Sequence, residues 1–323
     1  MEPDRTDRRT LFILTRNYGE LDVAMIFTAG LTFSAGVRFL IPAASYKDNA
    51  AVDGLVFRPY DGFADVMAEI DAFRPEAAFL CSGYMFHLDR LFSFAEIRAL
   101  VKRLRSVGAG IATTDPLLGL AAELGASDYR ISLLPAPQPG TIGRLRHEAG
   151  GRLVRWNNMR VLRKIARLYR DHYHLYPVRV DRFAWKWPLR TLAFRGDPRA
   201  LGRASGLPTA AAADESSPRP YWIFILAELD ALIQTTRLGA ERFAGLIRDR
   251  LADTRRHRRR PVVIAPAALL ERLREGRREE DDTRLVSVCG YAEIRRLVIG
   301  AEYTFYWNIY SSSLLLRGML GLP

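Results

Sequence analysis

Apolar segments of strand length alternate with amphipathic segments of helix length along most of this chain of 323 residues. In the first part of the sequence, helical spacing of apolar residues is clearest at Phe63–Phe73 and Phe94–Val107. A strand followed by a helix and another strand needs a crossover connection, which favours a parallel sheet with right-handed connections. The predicted strands of this part are Leu11–Thr15, Val37–Ile41, Leu55–Arg58, Ala77–Cys81 and Gly110–Thr113.

The same alternation returns after residue 220 and predicts a second parallel sheet. The predicted fold class is therefore α/β, with two Rossmann-like parallel-sheet domains and a basic helical and aromatic insertion between them. The predicted strands here are Tyr221–Ala227, Pro261–Ala265, Leu285–Cys289 and Glu302–Trp307, and the predicted helices are Ala240–Thr254, Ala267–Arg274, Tyr291–Gly300 and Ser312–Leu320.

Breaks in the pattern set the domain boundaries. Leu133–Gly140 is rich in proline, and residues 200–220 are small, polar and proline-bearing, as in a linker. Between the two breaks, Arg152–His174 has the pattern of a long basic helix. We predict an N-terminal Rossmann-like domain over residues 1–140, the basic segment over 141–200, a linker over 201–220 and a C-terminal Rossmann-like domain over 221–323.

The positive charge is concentrated in one part of the sequence. The formal net charge is +12, and Arg144–Arg199 alone carries 15 basic and four acidic residues. This segment suits an acidic or lipid-linked substrate or an anionic membrane surface, and a solvated helix with arginine-rich composition is the alternative. Nucleic acid is a disfavoured partner, because no recognised nucleic-acid module is present and two parallel sheets are superfluous to such a role.

Several enzyme classes are disfavoured by missing motifs. The sequence has no G-x-x-x-x-G-K-[ST], G-x-G-x-x-G, H-E-x-x-H or G-x-S-x-G motif, so we expect no bound metal or dinucleotide cofactor. Two cysteines, Cys81 and Cys289, favour a reducing compartment. The longest uncharged stretch, Val23–Val37, is too short to span a bilayer. We expect a cytoplasmic protein, with peripheral contact at the inner membrane face as an option.

Three loops of the N-terminal half follow predicted strands, where parallel sheets bind ligands. In the first loop, Glu20 or Asp22 could act as a general base, and N-capping of the next helix is the alternative. Asp115 follows the fifth strand and precedes a proline, which favours an extended conformation there; turn initiation is its alternative. The other candidates of these loops are Asn17, Gly19, Ser82 and His87.

The strongest candidate loop lies near the end of the sequence, between strand Glu302–Trp307 and the last helix. A run of serines at a helix N-terminus offers free backbone N–H groups, hydroxyl donors and the positive end of the helix dipole, which suits a pyrophosphate. An ordinary serine cap is the alternative. The candidate residues are Asn308, Ser311, Ser312 and Ser313, with Tyr291 beside another strand end, where a base or ribose could pack.

These patterns together resemble a GT-B-type glycosyltransferase. The N-terminal resemblance is carried by Gly19–Asp22, the helix after it and Gly36–Leu40; the C-terminal one by Tyr291–Ile294, Ile299–Tyr303 and Arg317–Pro323. The resemblance implies an acceptor-binding N-terminal domain and a C-terminal domain that binds a nucleotide-sugar as cosubstrate, with transfer that requires no metal. It also implies that Arg317 contacts the donor diphosphate and that Glu20, Asp22 and Asp115 serve the acceptor.

The sequence departs from the family pattern at the donor site. Ser311–Ser313 replace the usual glycines of the donor loop, and the helix glutamate that binds ribose has no match. The family continues beyond the position of Pro323, so the C-terminal domain is expected to be truncated or its donor site incomplete. The alternative function is therefore a non-catalytic binding protein on a degenerate GT-B-like fold, whose basic patch contacts nucleic acid or an anionic membrane.

Overall fold

The computed structural model describes residues 9–15, 36–46, 57–114, 141–176, 190–193, 220–275, 282–287, 291–307 and 312–322. The chain divides into two compact units, Met1–Gly196 and Asp197–Pro323. Each unit contains its own sheet, and every strand pairing within the two sheets is parallel. The predicted α/β class with two Rossmann-like parallel sheets is confirmed.

The first unit contains a seven-stranded sheet whose strand order reverses beside its first strand. The order is β3-β2-β1-β4-β5-β6-β7. Leu11 of β1 pairs with Arg38 on one side and with Ala78 on the other. The strands are β1 (Thr10–Ile13), β2 (Val37–Pro42), β3 (Phe57–Tyr60), β4 (Ala77–Leu80), β5 (Gly110–Thr114), β6 (Tyr173–Tyr176) and β7 (Arg190–Ala193).

The described helices of the first unit follow from apolar spacing and from capping. The N-cap Ser93 and Glu96 bond reciprocally to each other's backbone N–H, which starts one helix at Phe94. At the start of another helix, the Asp65 carboxylate accepts a hydrogen bond from the N–H of Gly62. The helices are α1 (Ala43–Tyr46), α2 (Phe63–Phe73), α3 (Met85–Leu88), α4 (Phe94–Ser106) and α5 (Thr141–Tyr169).

Both faces of the first sheet are apolar, as parallel sheets require. On one face, four phenylalanines at paired positions form a stacked row across four strands, with ring centroids 4.5–5.2 Å apart. On the other face, Leu11 and Ile13 share a buried cluster with residues of α2, α4 and α5. The stacked row consists of Phe57, Phe39, Phe12 and Phe79.

The basic segment predicted as a separate part over 141–200 continues the first sheet. Its helix, α5, packs a buried apolar face into the core of the first unit, and β6 and β7 extend the sheet beyond β5. The predicted helix Arg152–His174 is wrong at its end: α5 stops at Tyr169, and His174 lies in β6. The buried face consists of Met159, Leu162, Ile165, Ala166 and Tyr169, whose helical spacing is partly hidden among the many charges.

The second unit contains a four-stranded parallel sheet with the order β10-β9-β8-β11. Alternate residues of β8 face opposite sides: Phe224 packs against the next two helices along the chain, and Ile223 packs towards Leu297. The strands are β8 (Tyr221–Ile225), β9 (Arg260–Ile264), β10 (Arg284–Val286) and β11 (Tyr303–Tyr306). The described helices are α6 (Glu228–Leu238), α7 (Ala240–Arg256), α8 (Ala267–Glu275), α9 (Tyr291–Gly300) and α10 (Ser312–Leu320).

Replacement of Ile165 by alanine tests whether α5 belongs to the first core. Ile165 is fully buried, so the variant should lose about 2–5 kcal/mol of unfolding free energy through the cavity it leaves. Leu153→Ala, on the exposed side of the same helix, should change it by less than about 0.5 kcal/mol. Urea unfolding followed by far-UV circular dichroism measures both. Equal stability of the two variants would contradict the packing of α5 described above.

Candidate functional site

Each sheet has one point at which its strand order reverses. In the first unit this point lies between β1 and β4, and in the second it lies between β8 and β11. Neighbouring connections leave in opposite directions at such a point, which opens a crevice outside the carboxyl ends of the strands. The order defines two Rossmann-like units and predicts a crevice of this kind in each. Ligand-binding residues are therefore expected on the loops that follow these four strands.

The chain leaves β1 and β4 side by side in the first unit. The N–H of Cys81 donates to the carbonyl of Ile13 at 2.9 Å, and the N–H of Leu14 donates to Leu40 at 2.9 Å. The Tyr60 hydroxyl donates to the Leu14 carbonyl at 2.6 Å, which fixes the end of β1 further. The first candidate loop therefore starts beside the connection that carries Ser82.

Ser82 lies in a tight turn directly after β4. Its φ of 47° is in the left-handed region, which is uncommon for a residue other than glycine. Its N–H donates to the Thr114 hydroxyl at the end of β5, and its side chain is buried. The buried position makes Ser82 a fixed part of the turn, and the predicted acceptor contact stays a prediction.

The next residue, Gly83, is packed too closely to carry a side chain. A Cβ atom there would lie 2.6 Å from the Thr113 hydroxyl and 2.9 Å from the Tyr169 ring. The Tyr169 hydroxyl donates to the Gly83 carbonyl at 3.2 Å, and the Thr113 hydroxyl donates to Leu80 at 3.0 Å. This turn at the carboxyl edge is therefore locked onto β5 and onto the end of α5.

Two buried histidines contact Tyr169, the residue of α5 that touches Gly83. His174 bonds through Nε2 to the Tyr169 carbonyl at 3.1 Å, and His172 Nε2 lies 3.4 Å from the Arg105 guanidinium. Burial, and to a smaller extent the nearby Arg105 and His174, lowers the pKa of His172 to about 4, while Asp171 opposes them. Burial also lowers the pKa of His174. Both rings are neutral at pH 7, and they support the end of α5.

His87 lies on α3 in the same connection as Ser82. It is half-buried, and burial lowers its pKa. A neutral imidazole at pH 7 is able to accept a proton, and the acceptor-side role of His87 stays a prediction. The remaining candidates of the first unit, Asn17, Gly19, Glu20, Asp22 and Asp115, lie outside the described residues.

In the second unit, the carboxyl edge is formed by the ends of β8 and β11. The N–H of Leu226 donates to Ile264 at 2.9 Å, and α6 begins two residues later at Glu228. Helix α10 begins at Ser312, after β11, and Ser313 is buried in its first turn. Asn308 and Ser311 lie outside the described residues, as do the side chains of Ser312 and of Tyr291, where α9 begins.

The sequence prediction missed α6, and with it the turn at Ala227 that the strand order places next to the end of β11. The predicted strand Tyr221–Ala227 ran two residues too far, and no cap of the preferred type marks the helix start, because Ala227 is the N-cap. Rossmann order requires a helix after the first strand of the sheet, which is the signal that could have found α6.

Arg317 has a different role from the one predicted. Its Nη1 donates to the carbonyls of Val298 at 2.6 Å and Ala301 at 2.9 Å, and its Nη2 donates to Glu302 at 3.1 Å. The side chain is only 2% exposed, and burial lowers its pKa. The guanidinium thus caps the carboxyl end of α9 and ties α10 to it. These contacts give Arg317 a structural role rather than an open phosphate-binding one.

A charged cluster lies at the amino edge of the second sheet, opposite the carboxyl edge from which the candidate loops start. Arg259 donates from Nε and Nη2 to the Glu302 carboxylate, and Trp222 Nε1 donates to it at 3.0 Å. The hydrogen bond from Arg259 lowers the pKa of Glu302. These hydrogen bonds join the amino ends of β8, β9 and β11.

The described residues contain neither a metal-binding cluster nor a membrane-spanning helix. No group of three or more His, Cys, Asp or Glu side chains could hold a metal ion in this part of the chain. Within the same residues, no helix is both long enough and apolar enough to cross a bilayer.

Comparison with known proteins gives likenesses only at the level of solved structures. No family model matches the sequence, and no curated protein matches it. The UDP-GlcNAc 2-epimerase of Methanocaldococcus jannaschii shares 10% identity, over 97% of this chain and 82% of that one, with a TM-score of 0.46. That enzyme is also known in complex with UDP-GlcNAc and UDP.

Two further structures cover most of the chain. A candidate UDP-N-acetylglucosamine 2-epimerase of Listeria monocytogenes shares 10% identity, over 93% of this chain and 74% of that one, with a TM-score of 0.49. A family 9 glycosyl transferase of Veillonella parvula shares 12% identity, over 94% and 76%, with a TM-score of 0.36. Because the TM-scores of these structures are below 0.5, the fold assignment rests on the strand order and parallel pairing of this chain's own sheets.

Replacement of Arg317 by methionine separates a capping role from a ligand-binding role. The variant should lose about 2–5 kcal/mol of unfolding free energy without any ligand, because three carbonyls lose a charged donor. Arg242→Met, at an exposed position of α7, is the matched control and should change stability by less than about 0.5 kcal/mol. Thermal and urea unfolding measure both. An Arg317→Met protein as stable as the parent would contradict the capping role.

The buried His172 predicts a loss of stability in acid. Its pKa is about 4 in the folded chain and about 6.5 when unfolded, so between these values the unfolded chain binds more protons. Its contribution is present above about pH 6.5 and is lost as the pH falls towards 4. His172→Gln should flatten this part of the stability profile by on the order of 1–3 kcal/mol. Unfolding midpoints between pH 7.5 and 4.5 test it, and unchanged slopes in the variant would refute it.

Proposed function

We propose that the chain is a glycosyltransferase that moves a sugar from a nucleotide-sugar donor to an acceptor without a metal ion. The observation that carries the proposal is the paired topology: two parallel units, each with a strand-order reversal, at whose carboxyl edge a crevice is expected. Two such crevices match a reaction with two substrates, one for each unit. The resemblance of the sequence to GT-B-type enzymes assigns the donor to the second unit.

The donor would bind at the loops after β8 and β11. Its diphosphate would lie against Ser311, Ser312 and Ser313, where the N-terminus of α10 provides backbone N–H groups and the positive end of a dipole. Asn308 belongs to the same loop, and Tyr291, at the start of α9, would contact the base. Arg317 takes no part, because its donors are engaged by the end of α9.

The acceptor would bind at the first unit, on the loops that carry Asn17, Gly19, Ser82 and His87. A carboxylate, Glu20, Asp22 or Asp115, would take the proton of an acceptor hydroxyl as its oxygen attacks the anomeric carbon. The new glycosidic C–O bond forms while the bond to the diphosphate oxygen breaks, and the nucleoside diphosphate leaves with the bonding electrons. Backbone N–H groups and the dipole of α10 would stabilise that leaving group, so no metal is required.

A second candidate function is a binding protein without catalysis on the same fold. The observation that favours it is the engagement of Arg317 as a cap, which removes one predicted donor contact. On this alternative, a nucleotide would bind weakly or not at all, and the exposed basic residues of α5 would bind the partner.

Thermal unfolding with nucleoside diphosphates separates the two functions. A ligand at 100 times its dissociation constant stabilises the folded chain by about 2.7 kcal/mol, which is visible as a raised midpoint. UDP, GDP, CDP and ADP are tested at millimolar concentration. Ser311→Trp should abolish the shift by filling the loop, and Ser106→Trp, at the exposed end of α4, should retain it. No shift with any nucleotide would contradict donor binding.

Catalysis is tested by the release of nucleoside diphosphate from nucleotide-sugars. The amide variants Glu20→Gln, Asp22→Asn and Asp115→Asn are compared, since each keeps the size of the side chain and removes the base. One of them should lower kcat by about 10²–10⁴-fold while nucleotide stabilisation is unchanged. If nucleotide binds but all three variants release it at the parental rate, these carboxylates do not supply the base.

A further inference from the structure

Helix α5 carries a continuous basic and apolar strip on the side opposite its buried face. Exposed residues recur at spacings of three and four, so they share one face of the helix. We name this face the outer strip of α5; over its 18 residues it extends about 26 Å. Its described members on the helix are Leu153, Trp156, Asn157, Arg160, Arg163, Lys164 and Arg167, and Arg170 continues the strip one residue past the helix end.

The charge of the outer strip is of one sign. Five of its members are Arg or Lys, and the sequence contains no Asp or Glu between Leu153 and Arg170. The nearest acidic residue, Asp171, lies just past the helix and bonds to the Arg170 side chain at 3.3 Å. Apart from Asp171 at its end, this row of cations is uninterrupted by acidic residues in the sequence, and it is complementary to a surface of fixed negative charges.

The amino-terminal end of the outer strip is apolar as well as basic. Leu153 is 64% exposed and Trp156 is 59% exposed, and they lie three residues apart on the same face. The Arg160 guanidinium carbon is 5.6 Å from the Trp156 ring centroid, one turn further along. A large aliphatic and a large aromatic side chain held in water beside cations indicate a partner with both apolar and anionic parts.

We propose that the outer strip of α5 docks the protein onto an anionic lipid bilayer. Leu153 and Trp156 would enter the boundary between headgroups and acyl chains, and the cations would contact lipid phosphates, with the helix axis parallel to the surface. Because the opposite face of α5 belongs to the core of the first unit, docking needs no change in the fold. The inference does not depend on the proposed function.

Lipid fits the outer strip better than single-stranded nucleic acid does. A nucleic-acid groove would place aromatic rings among the cations so that successive bases could stack. The described strip instead has one aromatic ring, at its end, beside a leucine that has no π face. The exposed apolar pair lies directly beside the cations, so apolar and anionic parts of one bilayer surface could contact the strip together.

Vesicle flotation of the full chain tests the proposal. Vesicles of phosphatidylcholine alone are compared with vesicles in which two fifths of the lipid is phosphatidylglycerol. We expect binding to the anionic vesicles that weakens as salt is raised, and far weaker binding to the neutral ones. The triple variant Arg160→Gln, Arg163→Gln, Lys164→Gln should bind at least tenfold more weakly, since each cation near such a surface is worth about fivefold.

A matched control removes the same charge elsewhere. Arg237→Gln, Arg242→Gln and Arg250→Gln change exposed positions of α6 and α7 and should leave vesicle binding within about twofold of the parent. Trp156→Ser keeps the net charge and should weaken binding several-fold, with Trp156→Phe restoring most of it. Unchanged unfolding midpoints show that each variant is folded.

Three outcomes would overturn the proposal. The first is equal binding by the outer-strip and control triple variants, which would make the attraction a matter of net charge alone. The second is full vesicle binding by Trp156→Ser. The third is tight, salt-sensitive binding of a short single-stranded DNA by a chain that ignores anionic vesicles, which would assign the outer strip to nucleic acid instead.

Discussion

The parallel hydrogen bonding of the two sheets is the constraint on which the rest of the structure depends. Neighbouring parallel strands cannot be joined by a tight turn, so the chain must return through a crossover, and both faces of the sheet must be covered. This explains the stacked phenylalanines across β1 to β4 and the helices on the opposite face. It also leaves the carboxyl edges of the strands to the loops, where the candidate site residues fall.

Much of this architecture could be predicted from the sequence, because buried strands and amphipathic helices each leave a pattern of apolar residues within a short stretch of sequence. Apolar spacing alone gives the limits of Phe63–Phe73, Tyr291–Gly300 and Ser312–Leu320 as the structure has them. It failed at α5, where a buried face at Ile165 and Tyr169 is interleaved with cations, so the helix was assigned to a separate basic segment. It failed at α6 because no residue that typically ends a strand or caps a helix separates β8 from Glu228, and the N-cap is Ala227.

The sequence could predict which loops carry the candidate site, but much less which side chains in them are available to a ligand. Strand ends mark where ligands bind, but whether a side chain points to solvent depends on contacts distant in sequence. Arg317 shows the difference: the family resemblance implied a contact with the donor diphosphate, whereas its donors reach back to the end of α9. Gly83 is similar, since only the approach of Thr113 and Tyr169 makes that position intolerant of a side chain.

The central claim is that a nucleotide binds at the carboxyl edge of the second sheet, and hydrogen–deuterium exchange of the full chain tests it most directly. With saturating nucleoside diphosphate, we predict slower exchange in peptides that cover residues 226–229 and 307–314. Peptides at the amino edge, around residues 257–260 and 300–303, should be unaffected. Unchanged exchange at the carboxyl edge, or protection confined to α5, would contradict the account.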